Sequence, residues 1–314
     1  MNSSSFLVKN GVRQGAILSP ALFCVYLDTL LIRLRDTGVG CHIGGSFSGA
    51  FGYADDVTLL APSRQALQKI LKICEYFSSS LSMLFSTDPP PATSKSKCLF
   101  FSKKRTSHQI KNVTLNGDIL PWVATAKHLG NHLSSKLNLS SFSPETKTDI
   151  LCKRAILFDR VHQVLQQFGH YEPRMVVKLL SVYSTALYGS PLWKLNSEEH
   201  LKLNRSWNIA MKIIWDLPHS THIRFLEPLS PVPHLESILS GRYIGFVNGL
   251  SRSAKPLIKV LFNLCSSDLG SQTGQNISFL LQKYSKLTLA ELIVDRNTIK
   301  KNTVAQLSEN ENGS

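Results

Sequence analysis

The stretch Phe51–Leu60 reads FGYADDVTLL. Two neighbouring aspartates, Asp55 and Asp56, interrupt an apolar run. Phe51 and Tyr53 precede them, and Val57, Leu59 and Leu60 follow. Aromatic and β-branched residues on both sides of a short polar break predict two strands joined by a tight turn. Asp is a common turn residue, so a purely structural reading stands beside a functional one. Buried carboxylates are costly unless something positive meets them. The rest of the chain has to separate the two readings.

Upstream, GVRQGAILSP opens a helix: Ser19 reads as its N-cap and Pro20 as its first residue. Leu22, Phe23, Tyr26, Leu27, Leu30, Leu31 and Leu34 recur at helical spacing, and Gly38 supplies the stop. Asp28 lies on this helix, where spacing puts it beside Arg33 and Arg35. Strands are predicted around Cys41–Ile43, Phe47–Tyr53 and Val57–Leu60. Ser63 caps a second helix with the stripe Leu67, Ile70, Leu71, Cys74 and Phe77. After the Pro-rich TDPPPATSKSK come a strand at Cys98–Phe101 and a hairpin turning at Asn116-Gly117. KHLGNHL reads as one more strand. From Ser143 the texture turns helical, through Phe168, Pro173–Tyr188, Glu198–Trp215 and a last helix reaching Ser251. The predicted class is α+β, a partial antiparallel sheet with helices followed by a mostly helical domain. Its parts are 1–137, 138–256 and a C-terminal helical segment with a polar tail, 257–314.

With 314 residues, 43% of them hydrophobic, the chain can bury a sizeable core. Its 35 Lys and Arg against 21 Asp and Glu give a net charge of +14. That excess points to a polyanionic partner, most simply nucleic acid; a basic surface kept for solubility is the alternative. The six cysteines are scattered and form no C-x-x-C pair. They read as reduced and buried, as in an intracellular protein. His219 and His222 have no cysteine near them, so a turn or core contact outranks a metal site. No apolar run of membrane-spanning length occurs.

Chemistry concentrates where a Gly/Gln turn, the YADD turn and the lysine-bearing SKSKCLFF follow in order. At about 4 Å two carboxylates repel by about 4 kcal/mol at an effective dielectric of 20. A divalent cation reverses that sign, and Mg²⁺ suits a few carboxylates shared with substrate phosphates. Two such ions activate an attacking hydroxyl and stabilise a leaving pyrophosphate. Glycine beside glutamine lets backbone approach a nucleotide with an amide ready to hydrogen-bond it.

GVRQGAILSPALF, then YADD, then FSTDPPPATSKSKCLFF, then HLGNHL, resembles blocks B to E of the polymerase palm in reverse transcriptases of non-LTR (LINE-type) retrotransposons. YGSPLW, RSWNIAMKIIWDLPHSTH and LEPLSPVPHLESILSGRYIGF resemble the helical, thumb-like region that follows. The resemblance implies that Asp55 and Asp56 bind Mg²⁺ and that Tyr53 supports the turn beside the primer end. It implies that Gln14 and Gly15 line the incoming nucleotide and template base. Arg13 either touches template or faces solvent. Lys95 fits the block D lysine, with Lys97 as the alternative. RNA template, DNA primer and deoxynucleoside triphosphates are the implied partners, in the nucleus or a cytoplasmic ribonucleoprotein, with no membrane.

In that family a further metal-binding aspartate sits in block A, upstream of GVRQG. Gly11 lies only ten residues into this sequence. The expectation is therefore a truncated, downstream portion of a polymerase that needs the upstream segment for activity. The rival expectation is a non-catalytic nucleic-acid-binding remnant.

Overall fold

The computed structural model describes residues 15–87, 95–101, 110–135, 146–169, 172–183, 187–226, 229–230 and 232–301. The chain divides into two compact units, Met1–Ala124 and Thr125–Ser314.

Unit one runs α1 (Ser19–Asp36), β1 (His42–Ile43), β2 (Ser46–Phe47), β3 (Ala50–Tyr53), β4 (Asp56–Leu59), α2 (Arg64–Ser80), β5 (Val113–Leu115) and β6 (Asp118–Leu120). Antiparallel pairing occurs in two-stranded units, β1 with β2, β3 with β4, and β5 with β6. Ser19 does not cap α1. Leu18 holds the cap position with helical dihedrals, and Ser19 is the first helical residue. Pro20 in the first turn needs no partner for an N–H it lacks. Ser63 does cap α2, its hydroxyl accepting from Ala66 N at 3.2 Å. The apolar stripe of α2 then buries Ile70, Cys74 and Phe77 against Leu30 and Leu34 of α1.

On its other flank α2 docks β5 through side chains. The Gln68 amide donates to Thr114 O and accepts from Thr114 N, both at 2.9 Å, so it completes the β5 edge as a strand would. Asn116 and Gly117 have φ of 53° and 87°, the left-handed pair that a type I′ hairpin turn requires. The strand expected at Cys98–Phe101 reduces to one bridge, Cys98 to Trp122.

All six cysteines are free, but only Cys74 and Cys98 are buried; Cys24 is exposed and the others are intermediate. Burial, with the charge of Glu75 adding to it, pushes the Cys74 thiol up to about 12. Burial alone pushes Cys98 to about 11. Both are inert at neutral pH.

Unit two opens with a hairpin, β7 (Thr125–His128) and β8 (Asn131–Ser134), where one strand was expected. Leu129 and Gly130 turn it with φ of 46° and 78°. Among the described residues it is followed by α3 (Thr146–Phe168), α4 (Pro173–Tyr183), α5 (Glu198–Ile214), α6 (Leu235–Ser251), α7 (Pro256–Ser267), α8 (Gln272–Lys283), α9 (Leu289–Val294) and α10 (Arg296–Lys301), with short 3-10 turns at Ser190–Leu192 and Ile223–Phe225. The helix start expected at Ser143-Pro144-Glu145 lies outside the described residues.

The hairpin is held to α3 by Asp149. This carboxylate is 3% exposed. It accepts from Trp193 Nε1 at 2.8 Å and from the backbone N of His132 at 3.3 Å, with the His132 ring also at 3.3 Å. That attachment holds the hairpin within the second unit. Helix α6 contributes Leu235 and Leu239 to one core, with Trp193, Leu203, Trp207 and Ile214. It contributes Tyr243, Ile244 and Val247 to a second, with Phe262, Leu280 and Leu292. Helix α6 thus packs into both cores of the second unit. Among the described residues no helix is long and apolar enough to cross a membrane.

Candidate active site: the Tyr53–Asp56 turn

Strands β3 and β4 pair with Tyr53 opposite Asp56, leaving Ala54 and Asp55 as the turn. Ala54 has φ of 52°, while Asp55 stays out of the positive range. This is the φ pattern of a type II′ turn, whose first central position normally takes glycine. An L-residue held there costs about 1 kcal/mol. Both aspartates are exposed, and neither forms an ion pair among the described residues. Tyr53, 65% exposed, flanks them. Two adjacent carboxylates thus stand on a strained, solvent-facing tip, and no cation among the described residues pairs with either.

Gly52 fixes the hairpin against α1. A Cβ at Gly52 would stand 2.8 Å from Leu27 Cδ2 and 3.3 Å from Leu31 Cδ1. The strand lies on the helix because position 52 has no side chain. The groove alongside is lined by Cys24, Asp28 and Leu31 from α1 and by Gly52 and Ala54 from the hairpin. Asp28 therefore faces the turn's groove and does not pair with Arg33 or Arg35 as its spacing suggested. Arg35 pairs with Asp36 at 3.0 Å, and the Arg33 guanidinium sits 5.5 Å over the Phe77 ring. Helical spacing from Cys24 to Asp28 was the available signal, because i and i+4 share a face.

Gly15 sits in an exposed turn before α1 with φ of 79°, and a Cβ there would meet nothing within 4 Å. Its glycine requirement is conformational rather than steric. Arg13 and Gln14 lie outside the described residues. Lys95 and Lys97 are exposed on the segment before Cys98; Lys95 makes no ion pair with Asp55 or Asp56 among the described residues. Among those residues no group of three His, Cys, Asp or Glu side chains is arranged to hold a metal ion. The turn offers two carboxylates of such a group.

Residues 1–114 match the reverse transcriptase (RNA-dependent DNA polymerase) family. The chain is 34% identical over 87 residues to the "Retrovirus-related Pol polyprotein from type-2 retrotransposable element R2DM" of Drosophila melanogaster, covering 28% of this chain and 8% of that protein. It is 45% identical over 65 residues to the "Retrovirus-related Pol polyprotein from type-1 retrotransposable element R2" of Nasonia vitripennis, covering 21% of this chain and 6% of that one. The family match and these two retrotransposon relatives support a non-LTR reverse transcriptase region within residues 1–114. The reverse transcriptase region lies wholly inside unit one and contains α1, the YADD hairpin and α2. The chain spans less than a tenth of the length of either curated relative, 8% and 6%.

Proposed function

We propose that the chain is part of an RNA-directed DNA polymerase of the LINE type, in which Asp55 and Asp56 hold Mg²⁺ at the primer end. The observation that carries this reading is the turn itself: two unpaired carboxylates on a strained tip, inside a region that matches reverse transcriptases. Bound Mg²⁺ supplies activation of the primer hydroxyl and stabilisation of the leaving pyrophosphate. The chain's own residues do the positioning. Gly52 seats the hairpin on α1, Ala54 aims the adjacent carboxylate outward, and Tyr53 presents a flat ring beside them. Gln14 and Gly15 line the incoming nucleotide, Arg13 meets the template or solvent, and Lys95 balances phosphate charge, with Lys97 as its alternate. RNA template, DNA primer and deoxynucleoside triphosphates are the substrates.

A further polymerase segment completes the carboxylate set. Its support is the exposed apolar face of α1, where Leu22, Val25 and Tyr26 are all at least half exposed. An uncovered face of this kind marks a surface meant for other protein. The second reading, nucleic-acid binding without catalysis, is favoured for the isolated chain by the pair of carboxylates that no third described ligand joins.

Manganese spin resonance separates the two readings. Bound Mn²⁺ on the wild-type chain, weakened at least about tenfold in an Asp55→Asn, Asp56→Asn double variant, supports the metal-bearing turn; outer ligands alone account for about 10–100-fold. Equal binding by both proteins would favour the non-catalytic reading.

A further inference from the structure

A second surface, in unit two, has the chemistry of a nucleic-acid contact. The run 217–226, LPHSTHIRFL, contains no carboxylate. Its 3-10 turn Ile223–Phe225 projects outward, leaving Phe225 53% and Ile223 43% exposed. The Arg224 guanidinium lies 4.9 Å from the Phe225 ring centroid. His219 and His222 are exposed beside them.

This surface is held rigidly from below. Leu226 is 5% exposed and belongs to the main core of the unit. Its backbone N donates to Ile223 O at 2.8 Å. His222 caps the turn, its Nδ1 accepting from Arg224 N at 3.3 Å. Lys212 on α5 donates to His219 O at 2.6 Å, which ties the loop to the helix and places another cation beneath it. The aromatic ring and guanidinium are thus presented outward by a fixed backbone, so little ordering remains to be done on binding.

An exposed aromatic alone needs no explanation. The combination here does. A ring with a guanidinium stacked on it, two imidazoles and a lysine, in a run bounded by Asp216 and Glu227 and a chain of net charge +14, is complementary to a polyanion carrying flat rings. Bases stack on aromatic faces and on guanidinium planes, and single strands expose those faces whereas duplexes hide them.

We propose that the 219–225 surface, centred on Phe225 and Arg224, is a stacking site for single-stranded nucleic acid. The proposal does not depend on Asp55 and Asp56, and it predicts binding of unpaired bases with little sequence preference.

Fluorescence anisotropy of the full chain with a labelled oligothymidylate tests it. Phe225→Ala is expected to weaken binding roughly tenfold, within the range for one stacked base, and Phe225→Trp to stay within about threefold of wild type, since a larger ring stacks at least as well. Arg224→Gln is expected to reduce the slope of log K against log salt by about 0.7, the share of one phosphate on a single strand. A duplex of the same length should lose little in Phe225→Ala. Phe225 and Arg224 are exposed, so the variants should melt like the wild type. Photocrosslinking of the wild-type chain to an iodouridine oligonucleotide reads the same contact without substitution, and the crosslink should fall in 217–226. No binding by the wild type, Phe225→Ala equal to wild type, Phe225→Trp no better than Ala, equal losses on duplex, or crosslinks only elsewhere would each overturn the proposal. The stacking site is read by oligonucleotide binding and crosslinking at 217–226, and the polymerase reading by Mn²⁺ binding at the Asp55–Asp56 turn, so failure here and failure of that reading are distinguishable.

Discussion

At the scale of single residues, backbone strain sits where the chemistry is expected. Ala54 occupies a left-handed turn position with φ of 52° that glycine would adopt freely. Ala54→Gly is expected to raise the urea midpoint slightly, a gain of up to about 0.6 kcal/mol once glycine's extra unfolded-state entropy is subtracted. A lower midpoint would show that the turn is not strained. Asp55 and Asp56 were legible as a turn because polar residues broke an apolar run. The handedness of the turn was not, because alanine carries no signal for positive φ. Asp28 was misread for a different reason: helical spacing gives a face but not what packs against it. His200 is a residue whose burial the sequence could not disclose. It is 4% exposed, and its Nε2 has no hydrogen-bond partner among the described residues. Burial holds its pKa below the usual histidine value, with Lys283 adding to the effect and Glu236 opposing it. The folded chain then binds fewer protons than the unfolded chain below about pH 6.5. Stability from this neutral imidazole is present above that pH and is lost as the pH falls towards the lowered folded value. Chemical denaturation at pH 7.0 and 5.5 should show a drop that His200→Gln reduces; an unchanged drop would contradict the assignment. Glu236 adds a lower window. Burial would raise its pKa, but the hydrogen bond and charge of Lys283 outweigh it and hold the carboxyl low, so its contribution is present above about pH 4.5 and is lost only as the pH falls through the lowered value.

At the scale of elements, two kinds of signal behaved differently. Helix α2 could be read from its cap and stripe because both are local. The β7–β8 hairpin could not, since Leu129 disguises a type I′ turn that only Gly130 hints at. What holds that hairpin is tertiary: Asp149 on α3 gathers Trp193, the His132 backbone and the His132 ring. Hydrogen bonds to a charged group contribute about 1.5–3 kcal/mol each, and orphaned buried donors cost further. Asp149→Ala is therefore expected to destabilise the chain by about 3 kcal/mol, read as a fall in the denaturation midpoint. A change under about 1 kcal/mol would mean that water replaces the carboxylate, against its 3% exposure. The Cys98–Phe101 strand narrows to its one bridge with Trp122, because strand pairing needs a tertiary partner that the local sequence does not specify.

At the scale of the whole molecule, block order and charge were the legible features. The order of Gly/Gln turn, YADD turn and lysine-bearing loop led to the reverse transcriptase region that the family match independently covers. Arg13 and Gln14 rest on sequence alone, because they lie outside the described residues. The net charge of +14 predicts salt-dependent nucleic-acid binding with a log–log slope of about 0.9 for each duplex phosphate contacted; a slope near zero on folded protein would remove the basic surface from the account. The central claim is that Asp55 and Asp56 are the metal-proximal carboxylates of a polymerase, and primer extension tests it most directly. The 314-residue chain, alone and joined to the upstream reverse transcriptase segment of a related element, is given a primed RNA template, deoxynucleotides and Mg²⁺. The account predicts no extension by the chain alone, extension by the joined protein, and a loss of at least about 10²-fold in Asp55→Asn, the scale of removing one transition-state contact. Extension by the joined protein that is undiminished in Asp55→Asn would contradict it.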